Sequence, residues 1–471
     1  MPLLASFMVP HPPLIVPRVG RGGEKKVSKT IASYEKVADE IASLKPDTII
    51  ITSPHQIMYA DYFHISPGSS AKGSFSRFGA PDVKFSEEYD EELVDKIENL
   101  ADEDDFPCGT LGEESSELDH GTMVPLWFIR NKYKGGKIVR IGLSGLPLKD
   151  HYKLGMYIAE AIEELGRKAV FVASGDLSHK LQDYGPYGFA KEGPEYDKRI
   201  MDVMGRAAFG ELFDFSDSFC DKAAECGHRS FVIMAGALDR RNVRTEVFSH
   251  EDITGVGYGI CSFYPEDESD DRRFLKAYFD KTEKELAEKI EASDIYVRLA
   301  RLSVETYVRS RKTLKIPEDL LKIAKDGDDT KTLLNSRAGA FVSIHKFGKL
   351  RGCIGTIAPC TSNIASEIAR NAISASTRDP RFDPITEDEL SSLEINVDVL
   401  GEPEDITSKD QLDVKRYGVI VSARDGRRGL LLPDLDGVDT VEEQVSIAMQ
   451  KGGIRPGEAY MLQRFEVVRH V

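Results

Sequence analysis

The sequence predicts two domains of different class. An α/β domain with a central, mainly parallel or mixed sheet spans residues 1–264, and an α+β domain spans 290–471 beyond an acidic, helical linker at 265–289. Three observations predict this. Apolar strand-like runs alternate with helical periodicities up to residue 264. "PEDESDDRRF" (265–274) then breaks the rhythm with a proline and a run of acids. Beyond about 290, strand patterns follow one another mostly without helices between them, as antiparallel pairing requires.

In the first part, Leu3–Val9 and Thr48–Thr52 read as buried strands. Val27, Ile31, Tyr34, Val37, Ile41 and Leu44 recur at helical spacing between them. "KIVRIGL" (137–143) supplies a third strand, and Leu154, Ile158, Ile162 and Leu165 mark a helix before the strand Ala169–Ala173. "GVGYGICSFY" (255–264) reads as the last strand. Crossover units of this kind build a sheet whose ligands sit beyond the carboxyl ends of its strands. In the second part, Ile295, Leu299, Leu302 and Tyr307 form an amphipathic stripe. "GAFVSIHKFGKLRGCIGTI", "LEINVDVL" and "YGVIVSA" read as strands, with a helix near 362–376.

Composition bounds the function. The 471 residues carry a net charge of −17, which argues against broad nucleic-acid binding or an anionic membrane surface. No apolar run approaches the roughly 20 residues that span a bilayer. Early prolines interrupt any signal-peptide pattern, so a cytoplasmic location is expected. Six cysteines at 108, 220, 226, 261, 353 and 360 form no CxxC pair and read as thiols.

Histidines follow three of the strands: His11 after Pro10, His55 after Pro54 and His179 after "SGDLS". On one rim of a sheet they would converge. His120, His228, Glu225 and Cys226 are further candidates, whereas His64, His151 and His250 read as structural. Two neutral imidazoles and a carboxylate with open positions suit non-haem Fe(II) oxygen chemistry. Glu225 and Cys226 precede a helix, where its dipole favours an anion.

The motifs "VPHPP", "SPH", "LDHGTMVPL", "SGDLSH" and "ECGHRSFVIMAGAL" resemble, in this order, the LigB-type (class III) extradiol ring-cleaving dioxygenases and the related MEMO family. The resemblance covers residues 1–264. It implies an oxidoreductase that uses Fe(II) and dioxygen to open a catechol-type or other small aromatic diol. His11 and His55 would be metal ligands, His179 the acid–base residue and His120 a residue lining the site. Asp176 would orient His179. The family's glutamate ligand falls on Cys226, with Glu225 one place off, and MEMO-like proteins carry a cysteine there. With Glu225 the oxygenase triad is intact; with Cys226 the softer set also suits zinc or copper. A metal-binding redox or partner-binding protein without ring cleavage, and a zinc hydrolase, are the alternatives.

"LRGCIGT" (350–356) brings Arg351 beside the thiol of Cys353, with His345 on the preceding strand. A neighbouring cation lowers a thiol's pKa, and the alternative is a glycine-bearing hairpin arm with a packed cysteine. Thr386 and Glu389 form a capping-box pattern. "RGCIGT" and the "DPRF" turn resemble the AMMECR domain family over residues 290–471. Its members tend to occur with MEMO-like proteins and a radical-SAM protein. This chain has no CxxxCxxC motif, so the resemblance implies a separate radical-SAM partner.

Overall fold

The computed structural model describes residues 2–435 and 437–471, which divide into two compact units, Met1–Asp280 and Lys281–Val471. Among the described residues, the main sheet of the first unit has six strands. They are β1 (Leu3–Val9), β2 (Thr48–Ser53), β3 (Lys137–Gly142), β4 (Ala169–Ser174), β5 (Arg241–Glu251) and β6 (Tyr258–Glu268). Their spatial order is β3-β2-β4-β1-β6-β5. The first four run parallel; β6 is antiparallel to β1, and β5 to β6.

Helices cover both faces: α1 (Ser28–Leu44), α2 (His120–Lys132), α3 (Leu148–Glu164), α4 (Glu192–Gly205) and α5 (His228–Ala237). Phe7, Val9, Ile49, Ile51, Val170 and Val172 share a core with α1 and α2. Met8, Ile50, Val139, Phe171 and Ala173 share another with α3 and α5. Every residue of β2 and β4 is buried, which is why both read as continuous apolar runs.

Register decides where the chain leaves the sheet. Val9 pairs with Ser174, and Thr52 with Ala173, so β1, β4 and β2 end level on one rim. The segment leading to Cys226 is brought there by α5, which crosses α3 at close range. A Cβ added to Gly155 of α3 would overlap Ile233 O, and one added to Gly236 of α5 would overlap Tyr152 O.

Residues 265–289, expected as an acidic, helical linker, begin as a strand before they turn helical. β6 runs on to Glu268, a 3-10 turn covers Asp270–Arg272, and a helix covers Phe274–Ala292. β5 was not evident in the sequence, and neither was the hairpin Ser70–Phe75/Ala80–Glu88.

The second unit is an antiparallel α+β fold. Its strands are β7 (Ala340–Lys346), β8 (Lys349–Gly355), β9 (Leu393–Leu400), β10 (Tyr417–Ala423), β11 (Arg428–Leu431) and β12 (Tyr460–His470). They lie in the order β8-β7-β9-β12-β10-β11, with Glu404–Ile406 also paired to β12. Val342, Ile344, Ile395 and Val397 share a core with α6 (Ile295–Ser310) and α7 (Ile364–Thr377). No helix among the described residues is long and apolar enough to cross a membrane.

The α3–α5 crossing predicts the effect of Gly155→Ala. Helix propensity would gain about 1 kcal/mol, but overlap with a backbone oxygen costs about 1–3 kcal/mol of overpacking. A net loss of up to about 2 kcal/mol is expected in urea denaturation of the full chain. An unchanged midpoint would show that the two helices separate freely.

Candidate metal centre

β1 and β2 are two strands apart, about 10 Å from the usual strand spacing, with the end of β4 between them. Their histidines lean over that end until His55 Nε2 lies 3.0 Å from His11 Nε2. Ser174, the last residue of β4, orients the first ring. Its Oγ donates to Gly121 O at 2.6 Å, so it accepts from His11 Nδ1 at 3.0 Å. That places the proton on Nδ1 and leaves the Nε2 lone pair facing His55. Tyr34 OH of α1 donates to Pro10 O and holds the strand exit.

His55 is fixed by a second relay. Its backbone N donates to Ser53 Oγ at 3.2 Å, and Ser53 Oγ donates to Asp119 Oδ1 at 2.6 Å. Asp119 also caps α2 by accepting from Thr122 N at 3.0 Å. The next-but-one residue must be glycine, because a Cβ on Gly121 would overlap Ser53 Oγ.

Of the two acidic candidates before α5, Cys226 is the one brought to the pair. Its Sγ lies 3.7 Å from His11 Nε2, and donor atoms of His11, His55 and Cys226 all lie within 4.8 Å of one another. Glu225 turns away, and its Oε2 accepts from His228 N at 2.6 Å at the start of α5. One residue changes a side chain's direction by about 100°, and the helix N-terminus claims the carboxylate. Glu225 is therefore corrected from candidate ligand to helix cap, with burial pushing its pKa up to about 7.

Asp176 is corrected as well. It does not orient His179; its Oδ1 accepts from His11 N at 2.8 Å. Gly175 packs directly on Gly227, where a Cβ would overlap Gly227 Cα, and Asp176 reaches the backbone just beyond β1. Its own N donates to Cys226 Sγ at 3.3 Å. Burial pushes its pKa up to about 7.

Two more rings, His120 and His179, lie near enough to His11 to act on it electrostatically. His120, first residue of α2, lies 3.9 Å from the His55 ring and 5.4 Å from Phe78 between centroids. His55, His120, Phe78 and Arg77 line a cleft of about 460 Å³. The His179 ring packs 5.0 Å from Tyr187. Its Nε2 is buried without a hydrogen-bond partner among the described residues. Burial lowers the pKa of all these rings, and repulsion from neighbouring rings adds to it at His11, His120 and His179. His120 and His179 are pushed down to about 4, so at neutral pH the imidazoles are uncharged donors. Burial raises the Cys226 thiol well above its usual range; a cation reverses that preference by displacing the thiol proton. Two imidazole nitrogens and one such sulfur fit a borderline or soft transition-metal ion.

In the second unit the structure separates the candidates. Arg351 does not serve the thiol. Its guanidinium bonds Glu389 in bidentate fashion at 3.0 and 2.9 Å and also reaches Asp383 O at 2.7 Å. Cys353 lies on β8, an outer strand of the sheet. Its N donates to Asp379 Oδ2 at 2.8 Å, its O accepts from Arg381 Nη2 at 3.3 Å, and Ser343 Oγ donates to its Sγ at 3.2 Å. His345 is half-buried on β7, its pKa lowered by burial. Gly352 lets β8 approach α7, since a Cβ there would overlap Ala375 O.

An α/β unit with a candidate metal site on its carboxyl rim, followed by an antiparallel α+β unit, defines the class. Residues 5–261 match the family described as the catalytic LigB subunit of aromatic ring-opening dioxygenase, and residues 297–470 match AMMECR1. The chain belongs to that LigB family, with an AMMECR1 domain as its second half. It is similar along 100% of its length to protein CA_C1420 of Clostridium acetobutylicum, at 41% identity over 99% of that protein. A Thermotoga maritima protein is 46% identical over 37% of this chain and 96% of its own. The 2-aminophenol 1,6-dioxygenase beta subunit of a Pseudomonas species is 25% identical, covering 55% of this chain and 93% of its own.

Ser53, Gly121 and Ser174 were not singled out in the sequence. Their signal was their place inside "SPH", "DHG" and "SGD". Two predictions follow from their geometry and the pKa shifts. Ser174→Ala should weaken zinc binding about 10–100-fold by freeing the His11 tautomer, as read by calorimetric titration. The second concerns acid stability. His11, His55, His64, His120, His151, His179 and His228 all sit below their ordinary 6.5, so the unfolded chain binds more protons than the folded one. Stability is therefore lost as pH falls from about 6.5 toward 4. Asp176 and Glu225, raised to about 7, and Glu40, Asp197, Asp239 and His250, also raised, act in the opposite sense but are fewer. The thermal midpoint of metal-free protein should drop across that window; a flat profile would contradict neutral buried imidazoles.

Proposed function

We propose that the first unit is a metal-dependent oxidoreductase of the ring-opening dioxygenase type. Its substrate would be a catechol-type or other small aromatic diol, opened with dioxygen. The convergence of His11, His55 and Cys226 within 4.8 Å carries this reading. These three residues would hold the ion. When bound, a redox-active ion would supply Lewis acidity at the substrate's oxygens and a route for electrons to dioxygen. The remaining work belongs to the chain. His179, neutral and with an unpartnered Nε2, accepts a proton from the substrate hydroxyl and later returns one. His120 and Phe78 offer aromatic faces along the cleft. The 2-aminophenol of the relative's name also bears two neighbouring heteroatoms on one ring, which supports this substrate class.

Fe(II) is the ion that the family implies. The thiol of Cys226 supports a second reading, a MEMO-like zinc or copper centre with redox function and no ring cleavage. A radical-SAM protein is proposed as partner of the AMMECR1 half, on the family resemblance.

Metal analysis of anaerobically purified full chain, followed by oxygen uptake with catechol and 2-aminophenol, separates the readings. Iron near one per chain with substrate-dependent uptake supports the dioxygenase. Zinc or copper without uptake supports the second reading. His55→Ala should lose the ion under either, and a variant that keeps it fully would sink both. Cys226→Asp should shift preference from zinc toward iron, since carboxylate is the harder donor.

A further inference from the structure

The loop that carries His179 rests on a part-buried ion pair that the chemistry above leaves unused. Asp197 projects from α4, buried. Its Oδ1 accepts from Ser178 N at 2.9 Å, and its Oδ2 lies 2.7 Å from Nε2 of His250 on β5. Every other polar group of Ser178 is also engaged. Its O accepts from Gly257 N at 2.8 Å, its Oγ donates to Ala223 O at 2.7 Å, and that Oγ accepts from Lys180 N at 3.0 Å. On either side, Leu177 N donates to Gly257 O at 2.9 Å and Leu181 N to Gly255 O at 3.1 Å.

The carboxylate and the loop it holds are closely packed. A Cβ on Gly257 would overlap Asp197 Oδ2, and one on Gly193 would lie 2.8 Å from Ser178 Oγ. A buried carboxylate destabilises a fold unless it is paired. Here the pairing spans three elements, α4, β5 and the loop, and meets the backbone one residue before His179. The groups flanking His179 are satisfied, while its own Nε2 is left unpartnered and occluded.

We propose that Asp197, locked by His250, is a positioning residue for His179: it fixes the Ser178–Lys180 backbone and so aims the imidazole into the metal-binding rim. The inference rests on His179 being the proton-handling group proposed above. Asp197 touches no reacting atom and acts through the loop. His250, half-exposed, is the outer member of the pair.

The test uses full-length protein carrying 13C-labelled histidine, with the His179 signal assigned by its loss in His179→Gln. Asp197→Asn and His250→Gln are compared with the native chain, each checked for folding by circular dichroism, and zinc alone serves as the probe of the triad. The expected result is a His179 titration midpoint at least about 1 pH unit higher, as water reaches the loosened ring, with zinc affinity unchanged. A folded variant whose His179 titrates as in the native chain overturns the proposal. So does zinc affinity falling in step, since the pair would then merely support the whole rim. Should Asp197→Asn fail to fold, His250→Gln decides by the same two readouts. A native chain that takes up no zinc would count against the metal reading and leave the His179 comparison in force.

Discussion

The parallel register of β1, β4 and β2 is the constraint from which the first unit's site follows. Because Val9 and Thr52 lie level with the end of β4, two histidines that are 44 residues apart in sequence meet above one strand end. The middle strand contributes Ser174, which settles which nitrogen of His11 faces its neighbour. A one-residue slip in β2 would send its side chains to opposite faces and abolish the meeting. The apolar faces of these strands, buried under two helical layers, hold that register. Core packing and site geometry are thus the same requirement.

The site is also electrostatically self-consistent. Several imidazoles share a volume too dry to charge any of them, which preserves lone pairs for a cation. Backbone crowding around them is extreme. Gly121 meets Ser53, and Gly175 meets Gly227. Such contacts leave the loops little freedom and suit a site whose donors must be preorganised.

Much of this was legible in the sequence, for physical reasons that can be named. His11 and His55 were readable because buried parallel strands are apolar throughout and stop abruptly, so a polar ring just past the stop lies on the rim. The third donor was not readable, because Glu225 and Cys226 differ by one helical step and only the cap at His228 N decides between them. Asp176 was misassigned because its carboxylate is taken by the backbone of His11, 165 residues away in sequence. Ser174 stood at the head of "SGDLSH" with no role of its own assigned. β5, "RNVRTEVFSHE", escaped because it lies at the outer edge of the sheet with most residues at least partly exposed. Arg351 was paired in expectation with its sequence neighbour, whereas its partner is Glu389, 38 residues on. That same Glu389, recognised as the closing residue of a capping box, also accepts from Thr386 N at 3.1 Å. One carboxylate thereby joins a turn, a short helix and a strand.

The Asp379–Arg381 turn beside Cys353 bears on how the second unit behaves in company. β8 borders its sheet, and a bordering strand with free amides and carbonyls recruits other chains. At Cys353 both groups are already taken, by Asp379 and by Arg381. The opposite border, β11, is only four residues long. Capture of a stray peptide as an extra ribbon is therefore blocked at Cys353, and the far margin offers only a short strand to build on.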